Sequence, residues 1–324
     1  MTAFAAHALP QLQSVLSPAG SPAASIASLS WVMFAGAALI FAAVMGLLAW
    51  AVWRRSSARA VRPRRWIVGG GLVFPGLVLA SLFAYSSGRT PGWLAQPPPG
   101  ALVVSLTAHL WWWEVRYRDP ASGRDIALAN ELHLPVGRPV WLGLNSQDVI
   151  HSFWVPALAG KVDMVPGRVN HLLVQAGQAG VYRGQCAEYC GEQHARMALH
   201  VVARPPAEFD AWLAAQARPA AAPGASDAPG AALLARGRDA FVAQRCDACH
   251  TVRGVGEAGR LGPDLTHVGS RLHLGAGTLR NHPGSMARWI ADTQAVKPGA
   301  RMPSSGDMDA ATLQALAAWL EQLQ

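Results

Sequence analysis

Two long apolar segments near the start of the chain constrain its fold more than any other feature. The first, Trp31 to Trp53, has 23 residues and no charged side chain, and the second, Trp66 to Tyr85, has 20 residues. A helix rises about 1.5 Å per residue, so each segment is long enough to cross the roughly 30 Å hydrocarbon core of a membrane. Aromatic residues lie near the ends of both segments, where membrane interfaces favour them. The sequence therefore predicts a two-helix transmembrane hairpin over residues 31–88.

Positive charge is concentrated between these two segments. Six arginines occupy residues 54–65, whereas residues 1–30 contain no Lys or Arg. Cytoplasmic loops of membrane proteins are enriched in Lys and Arg, so the pattern predicts a cytoplasmic linker and outward-facing chain ends, including an outward-facing segment over residues 1–30. The formal charge of +8 is largely explained by this linker rather than by a nucleic-acid surface. We expect no nucleic-acid partner.

The rest of the chain falls into three regions. Residues 89–203 carry short β-type runs separated by Gly and Pro, which predict a sandwich or barrel of about one hundred residues. Residues 204–230 are rich in Pro and Ala and predict a semi-flexible linker. Residues 231–324 are helical in pattern, with leucines three to four positions apart in a closing helix. The candidate strands are Ala101 to Tyr117, Glu131 to Leu134, Pro139 to Leu144, Arg168 to Gln175, Gly180 to Gly184 and Ala198 to Ala203.

A group of metal-binding side chains lies near the end of the β-type region. Cys186, Cys190, His194 and Met197 fall within twelve residues. Copper prefers soft sulfur and imidazole ligands, and two bridging thiolates can hold two copper ions that share one electron. His151, directly after an apolar strand, is the best candidate for a second imidazole.

Zinc or a disulfide between Cys186 and Cys190 is the alternative interpretation of this loop. Zinc has little use for Met197, and a disulfide leaves the spacing of His194 and Met197 unexplained. The cysteine and histidine spacing alone is only moderately specific, so both alternatives stay open at this point.

The helical region carries a second cysteine pair with a histidine directly after it. Cys246, Cys249 and His250 form the C-x-x-C-H pattern of covalent c-type haem attachment, in which both thiols bind the haem and the histidine binds its iron. A dithiol or a zinc knuckle is the alternative, but neither requires the histidine. A second axial ligand is also expected, and Met302 is the leading candidate, with Met286 and Met308 as rivals.

Several blocks together resemble subunit II of the haem/copper cytochrome c oxidases. They are the aromatic run Trp111 to Tyr117, the block Asp148 to Pro156, the block Lys161 to Arg168 and the loop Cys186 to Met197. Residues 231–324 resemble the small class I cytochromes c. The resemblance implies a cupredoxin-like β-barrel or sandwich over residues 89–203, followed by an all-α cytochrome c domain.

The resemblance also implies particular cofactors. A binuclear copper centre, CuA, is expected on the side chains of His151, Cys186, Cys190, His194 and Met197, with the main-chain carbonyl of Glu188 as a further ligand. The Glu188 carboxylate is expected to face a magnesium or manganese ion at the border with subunit I. Trp111 aligns best with the tryptophan through which electrons enter the copper site in this family.

The function implied is that of subunit II of a respiratory cytochrome c oxidase. Electrons pass from cytochrome c, here also the chain's own covalent haem c, through CuA to the oxygen-reducing centre of subunit I. The expected partners are subunit I, other oxidase subunits, the membrane, and cytochrome c or another periplasmic donor. The expected location is the bacterial inner membrane, with two spans and with the copper and haem domains on the periplasmic side.

Two other functions fit the same motifs. One is the CuA-bearing component of a nitric oxide or nitrous oxide reductase, and the other is a free-standing membrane electron carrier. Neither alternative needs an oxygen-reducing partner subunit, so oxygen uptake by the purified complex distinguishes the favoured function from both.

Overall fold

The computed structural model describes residues 13–53, 62–89, 96–220, 230–256 and 259–324. The chain divides into two compact units. One consists of residues Ala23–Gln96, and the other combines Met1–Pro22 with Pro97–Gln324.

The smaller unit is built from the two apolar segments. Helix α1 spans Ser21–Trp53 and begins ten residues before the predicted span. Pro22 does not prevent this, because proline is tolerated in the first turn of a helix. The second segment is a continuous helical rod of α2 (Pro63–Val68), a π-helical stretch (Gly69–Val73) and α3 (Phe74–Arg89). Both rods are long and apolar enough to cross a membrane, with mean hydropathies of 2.4 and 2.1. Three of the linker arginines, Arg54, Arg55 and Arg59, lie outside the described residues.

The first part of the larger unit is a β-sandwich of two five-stranded mixed sheets. The strands are β1 (Leu102–His109), β2 (Trp112–Arg118), β3 (Asp125–Ala129), β4 (Glu131–Pro135), β5 (Val140–Ser146), β6 (His151–Trp154), β7 (Val162–Met164), β8 (Asn170–Val174), β9 (Gly180–Cys186) and β10 (Ala198–Arg204). One sheet has the strand order β3-β2-β1-β5-β8 and the other has the order β4-β10-β9-β6-β7.

Alternating side chains of the strands form the sandwich core. In β1, Val104, Leu106 and Ala108 are fully buried while their neighbours are more exposed, as expected for a strand with one face on the core. The predicted single strand Ala101 to Tyr117 is in fact two antiparallel strands, with Ala108 paired to Trp113. No Gly or Pro marks the turn between them, and the Asp148 carboxylate holds it by accepting a hydrogen bond from the Leu110 N–H at 2.8 Å.

The predicted linker differs from the structure in its first half. Pro206–Ala217 form helix α4, whose Phe209, Trp212 and Leu213 are buried against the sandwich at helical spacing. The Trp212 ring stacks on His133 with ring centroids 3.9 Å apart. The buried aromatic and leucine side chains therefore determine a packed helix here, despite the Pro-rich and Ala-rich composition. Residues 221–229 of the predicted linker lie outside the described part.

The second part of the larger unit is mainly helical. Helix α5 (Ala231–Ala243) packs against the closing helix α8 (Ala310–Glu321), and between them lie α6 (Pro283–Ala291), α7 (Thr293–Val296) and a small antiparallel pair, β11 (His273–Leu274) and β12 (Leu279–Arg280). Gly237 makes the close crossing possible, because a Cβ there would lie 2.1 Å from the Ala315 carbonyl oxygen. Asp309 caps α8 by accepting hydrogen bonds from the Ala311 and Thr312 N–H groups.

Candidate metal centres

The copper candidates converge at one end of the sandwich. Among the described residues, His151, Cys186 and Cys190 offer three ligand atoms within 4.8 Å of one another. The two sulfurs lie 3.7 Å apart, and the Cys190 Sγ lies 3.6 Å from His194 Nδ1 and 3.9 Å from the Met197 sulfur. The main-chain carbonyl oxygen of Glu188 lies 3.1 Å from the Cys186 Sγ. All six predicted donors are therefore neighbours in space.

Strand ends and one compact loop bring these donors together. His151 begins β6, Cys186 ends β9, and Phe153 of β6 pairs with Cys186 across the sheet. The Cys186 N–H donates to the Met197 carbonyl, which closes the loop that carries Cys190 and His194. The donors are thus held by two strand ends and by a loop that the sheet closes, as a preorganised metal site requires.

Asp148 orients the distant histidine of the site. Its carboxylate lies 2.9 Å from His151 Nε2, so the other ring nitrogen, Nδ1, faces the Cys186 sulfur at 3.8 Å. Burial opposes a proton on His151, but the hydrogen bonds to Cys186 and Asp148 outweigh it and raise its pKa. Carboxylates that fix a metal-binding imidazole in this way are common, and sequence analysis had noted Asp148 only as part of a matching block.

The two thiols share their protons unequally. The Cys190 thiol lowers the pKa of Cys186, and hydrogen bonds from His151 and the backbone add to this effect. The same contact with Cys186, together with burial, raises the pKa of Cys190 well above its usual range. One thiolate forms readily and the second is opposed by the first, so bound positive charge would favour holding both as thiolates. Three sulfur donors beside two imidazoles suit copper, and neither cysteine is in a disulfide.

The Glu188 carboxylate points away from the sulfur cluster. Its side chain is 44% exposed and lies 3.6 Å from the Lys161 ammonium, which also approaches Asp163 at 3.9 Å. Glu188 thus offers its carbonyl to the cluster and its carboxylate to an outer surface. Such surface ion pairs add little to stability, so these three side chains are available to another ligand.

The candidate haem-attachment residues lie just after the first helix of the second part. Cys246 and Cys249 are partly exposed free thiols in a short turn after α5. His250 Nδ1 lies 2.8 Å from the Pro263 carbonyl oxygen, which leaves Nε2 for a metal. Burial lowers the pKa of His250 and favours the neutral imidazole that binds iron. A Cβ at Gly262 would lie 2.5 Å from this ring, so glycine lets the chain pass close beside the histidine.

Met302 lies in a loop that one glutamine organises. The Gln294 side-chain amide donates to the carbonyls of Ala300 and Met302, and its oxygen accepts from the Gly299 N–H. Met302 is partly buried against the helical core. Its rival Met286 is fully buried in that core, and Met308 also packs against it. Gln294 was not singled out from the sequence, because its role depends on a loop fold that no local pattern predicts.

Trp111 joins the copper loop to the helical part. Its indole N–H donates to the Cys190 carbonyl at 2.8 Å. A Cβ at Gly299, in the Met302 loop, would lie 3.4 Å from the same indole ring, and a Cβ at Gly191 of the copper loop would lie 3.2 Å from it. Trp112 instead stacks on His109, and Trp113 is buried in the sandwich core. Of the three tryptophans, only Trp111 has contacts with both regions among those the structure describes.

Further contacts cross between the sandwich and the helical part. The Ala198 N–H donates to the Ala276 carbonyl at 3.0 Å, and the Leu272 N–H donates to the buried Glu131 carboxylate. The rings of His200 and His273 stack with centroids 4.2 Å apart. The two parts therefore meet through a defined surface of hydrogen bonds and ring contacts.

Two family matches cover these two parts. Residues 118–204 match the family described as cytochrome c oxidase subunit II, periplasmic domain. Residues 234–324 match the cytochrome c family.

Curated relatives agree with the family matches. The cytochrome c oxidase subunit 2 of Alkalihalophilus pseudofirmus is 38% identical over 225 residues, which are 69% of this chain and 61% of the relative. That of Bacillus sp. strain PS3 is 31% identical over 233 residues, 69% of this chain and 62% of the relative. The chain thus spans less than two thirds of the length of these relatives.

One solved structure is similar to part of the chain. The periplasmic domain of subunit II of cytochrome oxidase from Bradyrhizobium japonicum is 29% identical, with 38% of this chain covering 97% of that domain at a TM-score of 0.34.

The fold class predicted from the sequence is confirmed: two apolar N-terminal helices, a cupredoxin-like sandwich and a helical cytochrome c domain. These family matches imply a CuA centre in the sandwich and a haem in the helical domain. The chain is thus a membrane-anchored protein that carries a periplasmic domain of the cytochrome c oxidase subunit II family followed by a domain of the cytochrome c family.

Proposed function

We propose that this chain is the subunit of a respiratory haem/copper oxidase that receives electrons outside the membrane. It accepts them at its own haem c domain and passes them through the copper domain to the oxygen-reducing centre of a separate subunit I. The observation that carries this proposal is the position of Trp111, which hydrogen-bonds to Cys190 of the copper loop and lies beside Gly299 of the Met302 loop, where an added Cβ would be 3.4 Å from its ring. One side chain thus links the two candidate metal centres.

The copper-domain residues have distinct roles in this proposal. Two copper ions would supply a one-electron carrier when bound. The donors that would hold them are the side chains of Cys186, Cys190, His151, His194 and Met197 and the Glu188 carbonyl. Asp148 holds the His151 ring in place, so this ligand needs little rearrangement.

The helical domain holds the second carrier. Cys246 and Cys249 would attach the haem, and His250 and Met302 would hold its iron; the bound haem would supply one-electron chemistry. The Pro263 carbonyl fixes the His250 tautomer at 2.8 Å, and the Gln294 amide steadies the loop that presents Met302. Because the carriers are on one chain, the tether gives them a high effective concentration.

The exposed group of Glu188, Lys161 and Asp163 is the proposed border with subunit I. A magnesium or manganese ion there is bound by the Glu188 carboxylate together with ligands from the partner, in keeping with the oxygen preference of such ions. The helices α1 and α2–α3 anchor the chain by two spans in a bacterial inner membrane, with both metal domains in the periplasm. Cytochrome c, or another periplasmic carrier, is the proposed external donor.

The test is purification of the native complex followed by spectroscopy and oxygen uptake. The proposal expects a c-type haem band, a near-infrared copper band and oxygen consumption with reduced cytochrome c. The variant Cys186→Ser is expected to lose the copper band and oxygen uptake while the haem band stays. The matched control is Tyr189→Phe, which changes an exposed residue of the same loop and is expected to retain both bands.

Three results would contradict the proposal. They are a complex that lacks either band, a complex that reduces a nitrogen oxide but not oxygen, and a chain that purifies without any partner subunit.

A further inference from the structure

A buried lysine lies at the surface where the copper and haem domains meet. Lys297 is only 3% exposed, although lysine is among the residues least often buried. The sequence contains only two lysines, Lys161 and Lys297, and all the other residues counted as Lys or Arg are arginines. Burying an ammonium group is unfavourable unless it is fully hydrogen-bonded, so its surroundings decide what it does.

Three backbone carbonyls surround the Lys297 ammonium, and they come from both domains. Its Nζ lies 2.8 Å from the Trp111 oxygen and 2.9 Å from the Arg196 oxygen, both in the copper domain. It lies 3.0 Å from the Gly275 oxygen of the haem domain. An ammonium carries three N–H groups on one nitrogen, so each of the three carbonyls accepts one hydrogen bond. No single nitrogen of a planar guanidinium carries three N–H groups, so an arginine could not make these three bonds from one atom. Burial lowers the pKa of Lys297 to about 7, while Cys190 opposes this shift and the charge of Arg196 adds to it.

A second charged group makes the reciprocal contact. Arg196 of the copper domain donates from Nη1 to the Val296 carbonyl at 2.9 Å, directly before Lys297 in the haem domain. Each domain thus inserts one cationic side chain into backbone acceptors of the other. Carbonyls have fixed positions, so these bonds form together only when the domains meet in one register.

The register fixed by Lys297 places the Met302 loop on Trp111. Gly299, two residues after Lys297, has a φ of 78° and lies so close to the indole that a Cβ would be 3.4 Å from it. The Trp111 backbone is bonded to Lys297 while its side chain is bonded to Cys190. The tryptophan is thereby covered by the haem domain on the side that Gly299 contacts.

We propose that Lys297 is a positioning residue that locks the haem domain onto Trp111 in one register, so that Trp111 serves the chain's own haem domain and not a separate donor protein. The role of Trp111 as electron acceptor rests on the proposed function. The docking of the two domains in one register is independent of that function, and it can be measured without any enzyme activity.

Hydrogen–deuterium exchange of the full chain, with haem and copper bound, tests the lock directly. The Ala198 and Leu272 amides are the reporters, since both are hydrogen-bonded across the interdomain surface. In Lys297→Met the three carbonyls lose their donor, and exchange at both reporters is expected to accelerate at least about tenfold. Exchange at Leu142 in the sandwich core and Leu316 in the helical core is expected to stay unchanged.

Two further variants sharpen the test. Glu131→Gln removes the charge that receives the Leu272 N–H and is expected to accelerate the same reporters. Arg238→Met deletes an exposed positive charge of the same domain and is expected to leave both reporters at the wild-type rate. Hydroxyl-radical oxidation of Trp111, with Trp112 as the internal reference, is expected to increase in Lys297→Met because the indole becomes uncovered.

Unchanged exchange at Ala198 and Leu272 in Lys297→Met would overturn the proposal. Accelerated exchange at Leu142 and Leu316 as well would also overturn it, because Lys297 would then serve domain stability rather than docking. A failure of the proposed function gives a different result: a missing absorption band or absent oxygen uptake in the wild-type complex, whatever the exchange at the reporters.

Discussion

The indole N–H of Trp111 donates to the Cys190 carbonyl at 2.8 Å, so the side chain proposed to receive electrons is hydrogen-bonded to a residue proposed to bind copper. Phenylalanine at this position keeps an aromatic ring but loses the bond. We predict that Trp111→Phe slows electron transfer from the haem domain to the copper centre, measured by time-resolved absorption after flash reduction of the haem. Trp112→Phe is the control, because Trp112 stacks on His109 instead. Equal rates in Trp111→Phe and the wild type would contradict the role of Trp111.

Asp148 is expected to govern copper affinity without binding copper itself. Its carboxylate lies against both His151 Nε2 and the Leu110 N–H, so it fixes a ligand and the turn before Trp111 together. Loss of such an orienting carboxylate typically costs roughly 10- to 100-fold in metal affinity. We predict a decrease of that size for Asp148→Ala, measured by competition with a copper chelator. Asp125→Ala, at a half-exposed carboxylate near Arg116, is the control, and an unchanged affinity in Asp148→Ala would refute the assigned role.

The crossing of α5 and α8 predicts a position where the smallest added side chain is harmful. A Cβ at Gly237 would lie 2.1 Å from the Ala315 carbonyl oxygen, and neither helix backbone can yield without moving the core around Trp319. We predict that Gly237→Ala destabilises the haem domain by about 1–3 kcal/mol, measured by denaturant unfolding followed at the haem band. Gly306→Ala, where the added Cβ has its nearest contact at 3.6 Å, is expected to change stability little. Equal effects of the two substitutions would refute the crossing as described.

The stacked histidines at the interdomain surface predict a loss of stability in acid. Burial lowers the pKa of His200 to about 4, with His273, Glu131 and Arg183 as its charged or titratable neighbours. A base whose folded pKa lies below its unfolded value binds fewer protons when folded, so stability is complete above about pH 6.5 and falls as the pH approaches 4. We predict a loss of about 2 kcal/mol between pH 7 and pH 5 from this group, measured by chemical unfolding.

The variant His200→Phe isolates this contribution. It keeps an aromatic ring against His273 but cannot titrate, so its stability is expected to fall less between pH 7 and pH 5. A fall as large as that of the wild type would show that His200 does not carry the pH dependence.

Much of the architecture followed from the sequence because its signals were local. The apolar runs gave both membrane helices, and the loop from Cys186 to Met197 with the Cys246 pair gave the candidate metal centres. His151 is 35 residues from Cys186, yet its place directly after an apolar strand was enough to nominate it. Local periodicity and ligand chemistry are properties that a single sequence displays.

The features that sequence analysis missed depend on tertiary contacts. The turn between β1 and β2 contains neither Gly nor Pro and is held by Asp148, 38 residues away. Helix α4 looked like a linker because its Pro-rich and Ala-rich composition masked the stripe of Phe209, Trp212 and Leu213. Lys297 lies five residues before Met302 in a segment with no local pattern that marks it, and its significance lies in carbonyls 186, 101 and 22 residues distant. A single sequence does not show which distant backbone atoms a side chain will reach.

The central claim, that electrons pass from the chain's own haem domain to its copper centre, is tested most directly by one flash-reduction measurement on the purified complex. The haem is reduced by a light pulse, and the c-type haem band and the near-infrared copper band are followed together. The account predicts that the haem is reoxidised and the copper band is lost with one shared time constant, independent of protein concentration. Copper reduction while the haem stays reduced, or a rate that rises with protein concentration, would contradict it.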